Sequence, residues 1–314
     1  MAIELTRPDK QTVIVETPVM AASGILGFGD VYRDLIQFEK LGAFVTNPVT
    51  YQPWQPAVGT RVVRLDAGML LHTGLPNPGL SKIMGEYREV WKAMPLPVIV
   101  HVVATTLEHV RKCASRIEAE NEVDAIELGL PDDIGWKDAE QFVSAAVRAT
   151  EKPVLVRLPF QDALEIAQPV SDAGAGALVA CAPPRGTARD PLTGRLVSGR
   201  VYGPLVKSMA LRIVGVLVTK LKDIPVIGAG GIHSQQDARD FIDAGARAVQ
   251  VDTVTWVQPN MLEWIARDLG GLVVTRQAGA LADEWHPGMG ETERKARGHK
   301  QIGAPKPNAQ QDKQ

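Results

Sequence analysis

The sequence predicts a single (β/α)8 barrel, an α/β fold. Eight short β-branched runs alternate with amphipathic helical stretches from residue 18 to about 270, and two connections are much longer than a barrel requires. Both long connections follow C-terminal ends of predicted strands, the face on which such barrels keep their active sites.

The strands are expected at residues 18–23 (PVMAAS), 43–49 (AFVTNPV), 97–103 (PVIVHVV), 125–130 (AIELGL), 153–158 (PVLVRL), 177–182 (ALVACA), 225–230 (PVIGAG) and 248–253 (AVQVDT). Helices are expected between them. Asp30 precedes VYRDLIQFEKL and Gly42 follows it, a cap acceptor at one end and a left-handed stop at the other. Thr105 and Glu108 form a capping-box pattern, Asp138 is placed to cap the next helix, and Ser234 opens the one that Gly245 ends. The connections 50–96 and 183–205 are expected to wall or cover a pocket, with Tyr51, Trp54 and Tyr202 as its aromatic lining. Residues 1–283 are assigned to the barrel, and the polar segment 284–314 is expected to be poorly ordered.

Composition narrows the function classes. The chain has 314 residues, 45% hydrophobic and 5% aromatic, and its 51 Gly and Pro residues are too few for low-complexity disorder. A net charge of −2 offers no field for a polyanion, so no nucleic-acid partner is expected. Cys113 and Cys181 alone cannot build an iron–sulfur or four-thiolate zinc centre, and His72 and His101 lack a third ligand at metal spacing, so no metal site is expected. The N-terminus reads as no signal peptide and no uncharged apolar run reaches about 18 residues, which predicts a cytoplasmic protein with no membrane partner.

Chemistry is concentrated after the last two strands. GAGGI (228–232) ends the seventh and VDT (251–253) the eighth, the loop pair that commonly binds phosphate in such barrels because glycines let backbone N–H groups converge on an anion. The alternative is that Gly228, Gly230 and Gly231 only permit a tight turn.

Six segments carry a family resemblance: PVMAASGILGFG (18–29), GAFVTNPVT (42–50), RVVRLDAGMLLHTGLPNPG (61–79), YGPLVKSMALRIV (202–214), IPVIGAGGI (224–232) and GARAVQV (245–251). In order and spacing they resemble the dihydroorotate dehydrogenases, most of all the soluble class that reacts with pyridine nucleotide through a partner subunit. The resemblance implies an FMN-containing barrel, a small-molecule substrate, an electron-transfer partner subunit and a homodimer. It places Ala22, Ser23 and Gly24 along the flavin ring, Asn47 and Gly203 nearby, and Gly230, Gly231 and Thr253 at the flavin phosphate. Arg157 stands where the family has a lysine beside the flavin N1/O2 edge, so a cation that stabilises anionic reduced flavin is retained. The other reading of Arg157 is an ion-pair partner at the barrel mouth.

Other positions depart from the family pattern. The asparagines that grip the orotate ring correspond to Leu71, Gly129 and Ala182, a lysine corresponds to Asn47, and only Asn77 is kept. Losing those amides forfeits discrimination for an amide-rich ring, so the substrate is expected to be less polar than dihydroorotate. His72, Asn77 and His101 are the residues expected to contact it. The family's proton-abstracting cysteine or serine falls on Asp132 without a gap, or on Leu130 if aligned on Pro131; Asp132 is the candidate base, and a turn-and-cap role is the alternative. Asp252 replaces a glycine beside the phosphate, where a carboxylate about 4 Å away would cost on the order of a few kcal/mol, so either its side chain turns outward or the site has changed. His109 and His233 are expected at the surface. The reading is an FMN-dependent oxidoreductase passing hydride between a C–C bond and flavin N5; the alternative is a non-catalytic barrel subunit, or a non-flavin lyase or synthase with the same phosphate cup.

Overall fold

The computed structural model describes residues 2–278, with side chains through residue 270. A short hairpin, β1 (Ile3–Glu4) and β2 (Ile14–Val15), precedes the barrel. The barrel strands are β3 (Val19–Ala21) and β4 (Phe44–Val45), then β7 (Val98–Val103), β8 (Ala125–Gly129), β9 (Val154–Arg157), β10 (Ala177–Ala180), β13 (Val226–Ala229) and β14 (Ala248–Val251). Between β4 and β7 lie β5 (Val62–Leu65), β6 (Gly68–Leu71) and the helix α1 (Leu80–Lys92); β11 (Arg185–Arg189) and β12 (Leu196–Tyr202) follow β10. The remaining helices are α2 (Leu107–Glu118), α3 (Trp136–Val147), α4 (Ala163–Asp172), α5 (Val206–Lys220), α6 (Gln235–Asp243), α7 (Val254–Val257) and α8 (Asn260–Ala278).

The eight-stranded sheet runs β3-β14-β13-β10-β9-β8-β7-β4, every neighbouring pair is parallel, and a Met20–Ala43 bridge joins β3 to β4. The ring is closed, and all eight expected strands are present. Successive side chains on a strand alternate faces, so the interior is built in layers. Its lower layers are apolar: Met20, Val45, Ile99, Leu155, Val179 and Ile227 pack with Leu5, Val13 and Val15 from the N-terminal hairpin, which closes the floor. Two residues further along the same strands the inward positions become polar, with His101, Glu127, Arg157 and Gln250. That change of character marks the mouth.

Three local expectations are corrected. No α-helix forms after Asp30; the segment turns repeatedly and contains only a 3-10 turn at Phe38–Lys40. Tyr32 within the segment has positive φ, which a right-handed helix does not accept, and it follows the positive-φ residues Gly27 and Gly29. The cap of α2 is Thr106, whose hydroxyl accepts the His109 N–H at 3.1 Å, while Thr105 instead contacts the His109 ring. Helix α3 begins at Trp136 after Gly135, so Asp138 lies inside its first turn. Ser234 caps α6 as the pattern predicts, accepting the Asp237 N–H at 3.1 Å.

The two long connections meet. Strands β5, β6, β12 and β11 form one antiparallel sheet, β12 pairing with β6 through Val201–Leu70 and Tyr202–Met69. Gly203 has φ +138, and a Cβ there would stand 2.3 Å from the Ala67 carbonyl, so glycine is what lets the second connection cross the first. The connection 50–96 also holds the barrel helix α1, whose Leu80, Ile83, Met84 and Trp91 are buried. No helix among the described residues is long and apolar enough to cross a membrane. The segment expected to be poorly ordered, 284–314, and residues 279–283 of the assigned barrel lie outside the described residues.

Candidate functional site

Three adjacent strands, β7, β8 and β9, and β14 from across the barrel build one buried polar network at the mouth. His101 on β7 sits directly opposite Glu127 on β8, with His101 Nδ1 2.7 Å from Glu127 Oε1. Arg157, at the end of β9, donates to Gln250 Oε1 at 2.7 Å and to Glu127 Oε1 at 3.3 Å; the Gln250 amide in turn donates to Glu127 Oε2. Burial alone would raise the Glu127 carboxyl, but the His101 hydrogen bond and the Arg157 charge outweigh it and hold it at about 2. The carboxylate is therefore a permanent anion holding a guanidinium and an imidazole in place. Arg157 has the ion-pair partner that one sequence reading offered, and its guanidinium is buried at the mouth.

The free edge of His101 points upward. A Cβ built on Gly129 would lie 2.6 Å from His101 Nε2, so the imidazole fills the space that a side chain at that position would take. Sequence comparison counted Gly129 as a lost amide; the structure returns a polar nitrogen to the same space from the neighbouring strand.

The residues expected along a flavin lie around this network. Ser23 Oγ donates to the Thr46 carbonyl at 2.8 Å, Ala22 N–H donates to Val251, and Gly24 has φ +91. Asn47 donates its backbone N–H to Gly27, and its buried Oδ1 has no hydrogen-bond partner. Gly230 and Gly231 both have positive φ, and a Cβ on Gly231 would meet the Lys207 N at 2.4 Å, so the loop after β13 must be glycine to pass α5. Thr253 N–H and Oγ both donate, and both to Asp252 Oδ1, at 2.6 and 3.2 Å.

Asp252 takes the second of its two alternatives, an altered phosphate site, and His233 departs from its expected place at the surface. The Asp252 side chain is buried and turned onto the loop pair after β13 and β14. Burial pushes its carboxyl up, opposed by the His233 imidazole and by the hydrogen bonds from Thr253 and the Gly231 N–H. His233 is thus not a bystander at the surface: it stands beside that carboxylate, with a buried Nδ1 that has no partner. Tyr202 closes the space from above; burial and the Asp252 charge raise its hydroxyl.

Asn77, expected to contact substrate, clasps the loops on either side of it. Its Oδ1 accepts from Thr50 N–H, Thr50 Oγ1 and Gly79 N–H at 3.2, 3.0 and 3.0 Å, and its amide nitrogen donates to Leu75 O. His72 lies past the end of β6 with its N–H on Arg61 O, outside the polar network. Asp132 is paired with Arg200 at 2.8 Å and Arg185 at 3.9 Å, and Arg200 also donates to Pro183 O. Leu130, its rival in alignment, is buried in the core. Cys113 and Cys181 are buried, their thiols pushed up to about 12, so neither supplies a base at neutral pH.

Sequence reading missed Glu127, Gln250 and Arg200. The first two had a signal: a lone acid in AIELG and a lone amide in AVQV, each two residues past an inward apolar position. Arg200 had none, because its role depends on the pairing of two distant loops.

The polar groups suit a flavin ring, with an unpartnered Asn47 carbonyl and a fixed guanidinium, while the backbone N–H groups of the loop pair already hold an anion of the chain's own. Comparison with known proteins agrees with this. The family model described as dihydroorotate dehydrogenase matches residues 12–273. The catalytic subunit of dihydroorotate dehydrogenase B (NAD(+)) from Pelobacter propionicus is 34% identical over 272 residues, 81% of this chain and 89% of the relative. The proteins of the same name from Geobacter sulfurreducens and Geotalea daltonii are 34% and 31% identical over 274 and 283 residues, 82% and 83% of this chain and 89% and 92% of those relatives.

Proposed function

Because this chain belongs to the dihydroorotate dehydrogenase family, we propose that it is a flavin-dependent oxidoreductase acting on a CH–CH group, with FMN seated at the barrel mouth and a substrate less polar than dihydroorotate. The observation that carries the reading is the buried Glu127–Arg157–His101–Gln250 network, which fixes a cation and an imidazole in orientation at the barrel mouth.

The flavin ring would lie along Ala22, Ser23, Gly24, Asn47 and Gly203, with the loops of Gly230, Gly231 and Thr253 at its ribityl end, and bound there it supplies a two-electron acceptor. Arg157 presents a positive charge that Glu127 fixes in direction, suited to a ring edge that gains negative charge on reduction. His101, held in orientation by Glu127 through Nδ1, offers Nε2 to the substrate face and can hold or receive a proton there. Asp132 is engaged by Arg200 and Arg185, and those ion pairs serve to hold the β11–β12 sheet over the mouth. Leu71 and Ala182, in place of amides, leave no side-chain donors for a second polar ring edge. The relatives are named as catalytic subunits, which supports a second, electron-transferring subunit for this chain.

The test is the absorption spectrum of the purified full-length chain titrated with flavin. Bound flavin with a shifted spectrum, bleached anaerobically by a CH–CH donor, supports the reading; a chain that takes up no flavin rules it out.

A further inference from the structure

The end of β14 carries a carboxylate inside the loop pair that a barrel uses to hold phosphate. Asp252 is 4% exposed, and its Oδ1 accepts the Thr253 N–H at 2.6 Å and the Thr253 hydroxyl at 3.2 Å. The Gly231 N–H from the loop after β13 donates to the same carboxylate, and the His233 imidazole flanks it. An outward cap would leave those donors facing the mouth. Instead the chain's own anion has taken them, and no ion pair to Lys or Arg compensates it among the described residues.

We propose that Asp252 is an intramolecular occupant of the anion cup, holding the backbone donors that a cofactor phosphate would otherwise take, so that the barrel engages a flavin through its ring system and discriminates against the phosphate. Two anions cannot share one small set of N–H donors. At the few ångströms that separate groups in such a cup, their repulsion far exceeds thermal energy even at an intermediate dielectric. A phosphorylated flavin must displace the carboxylate or bind with its phosphate outside the cup, whereas a flavin ending in a ribityl hydroxyl meets no such penalty. The ligand class that fits the mouth as built is the dephosphorylated flavin, and FMN binds without gain from its phosphate.

This inference rests on the flavin reading, and the experiment separates the two. Fluorescence quenching of riboflavin and of FMN is titrated against the full-length chain and against Asp252→Asn, which keeps the side chain's shape, and Asp252→Gly, which empties the cup. In the unaltered chain the Kd for FMN should be no lower than that for riboflavin. In either variant FMN should tighten by roughly a hundredfold while riboflavin moves by less than about threefold. A chain that already prefers FMN by about tenfold or more, with that ratio unchanged by both substitutions, overturns the proposal. If no form binds either flavin, the cofactor reading fails, and inorganic phosphate then decides the cup: a rise in Tm with phosphate in the variants but not in the unaltered chain supports Asp252 as occupant, and no difference between them overturns it.

Discussion

His101 and Glu127 face each other across the β7–β8 pair, imidazole Nδ1 2.7 Å from carboxylate Oε1, and the other imidazole nitrogen fills the space over Gly129. The pair converts a position that lost its side chain into one served by its neighbour. It also ties a fully buried carboxylate to an imidazole at the barrel mouth.

Glu127→Ala should destabilise the fold by about 3–5 kcal/mol, because it leaves the Arg157 guanidinium buried without its carboxylate. Denaturant unfolding of the purified variant measures this. A loss under about 1 kcal/mol would mean that Gln250 alone satisfies the guanidinium.

The pH dependence of that contribution has a definite sign. Glu127 is held at about 2, below its ordinary 4.5, so the folded state binds its proton less readily than the unfolded one. The stabilisation is complete above 4.5 and is lost as pH falls from there through about 2. The difference in unfolding midpoint between the unaltered chain and Glu127→Gln should therefore be constant from neutral pH down to 4.5 and shrink below it.

Asn77→Ala removes the acceptor of three hydrogen bonds that join the start of the 50–96 connection to α1. About 2–3 kcal/mol of stability should go with it. A ligand-binding role would instead weaken ligand affinity with the fold unchanged, which calorimetry and flavin titration together resolve.

Asp132→Asn tests tether against base. The pair to Arg200 is partly exposed, so stability should fall by less than about 1 kcal/mol while amide exchange across Leu196–Tyr202 quickens. Loss of the flavin reduction step by about a hundredfold or more, with exchange unchanged, would instead make Asp132 the proton acceptor.

The fold was legible because each barrel strand is a short β-branched run with its own turn signal, as in PVIGAG before Gly231, and such patterns are local. The missing helix after Asp30 shows the limit: VYRDLIQFEKL has helical spacing, yet Tyr32 at φ 66 follows two positive-φ glycines and the chain turns instead. At the site, Arg157 could be picked because it stands where the resemblance puts a lysine. The inward turn of Asp252 could not, since sequence leaves a carboxylate after a strand free to face either way. Arg200 was hidden for a different reason, as its partner Asp132 lies 68 positions away on another loop.

The most direct test of the central claim is anaerobic reduction of the flavin-loaded, full-length chain followed by flavin absorbance, with dihydroorotate and less polar cyclic CH–CH donors compared side by side. The account predicts that flavin is retained and bleached, by the less polar donors at least about tenfold faster than by dihydroorotate. Bleaching by dihydroorotate alone would contradict the substrate assignment, and failure to retain any flavin would contradict the account at its root.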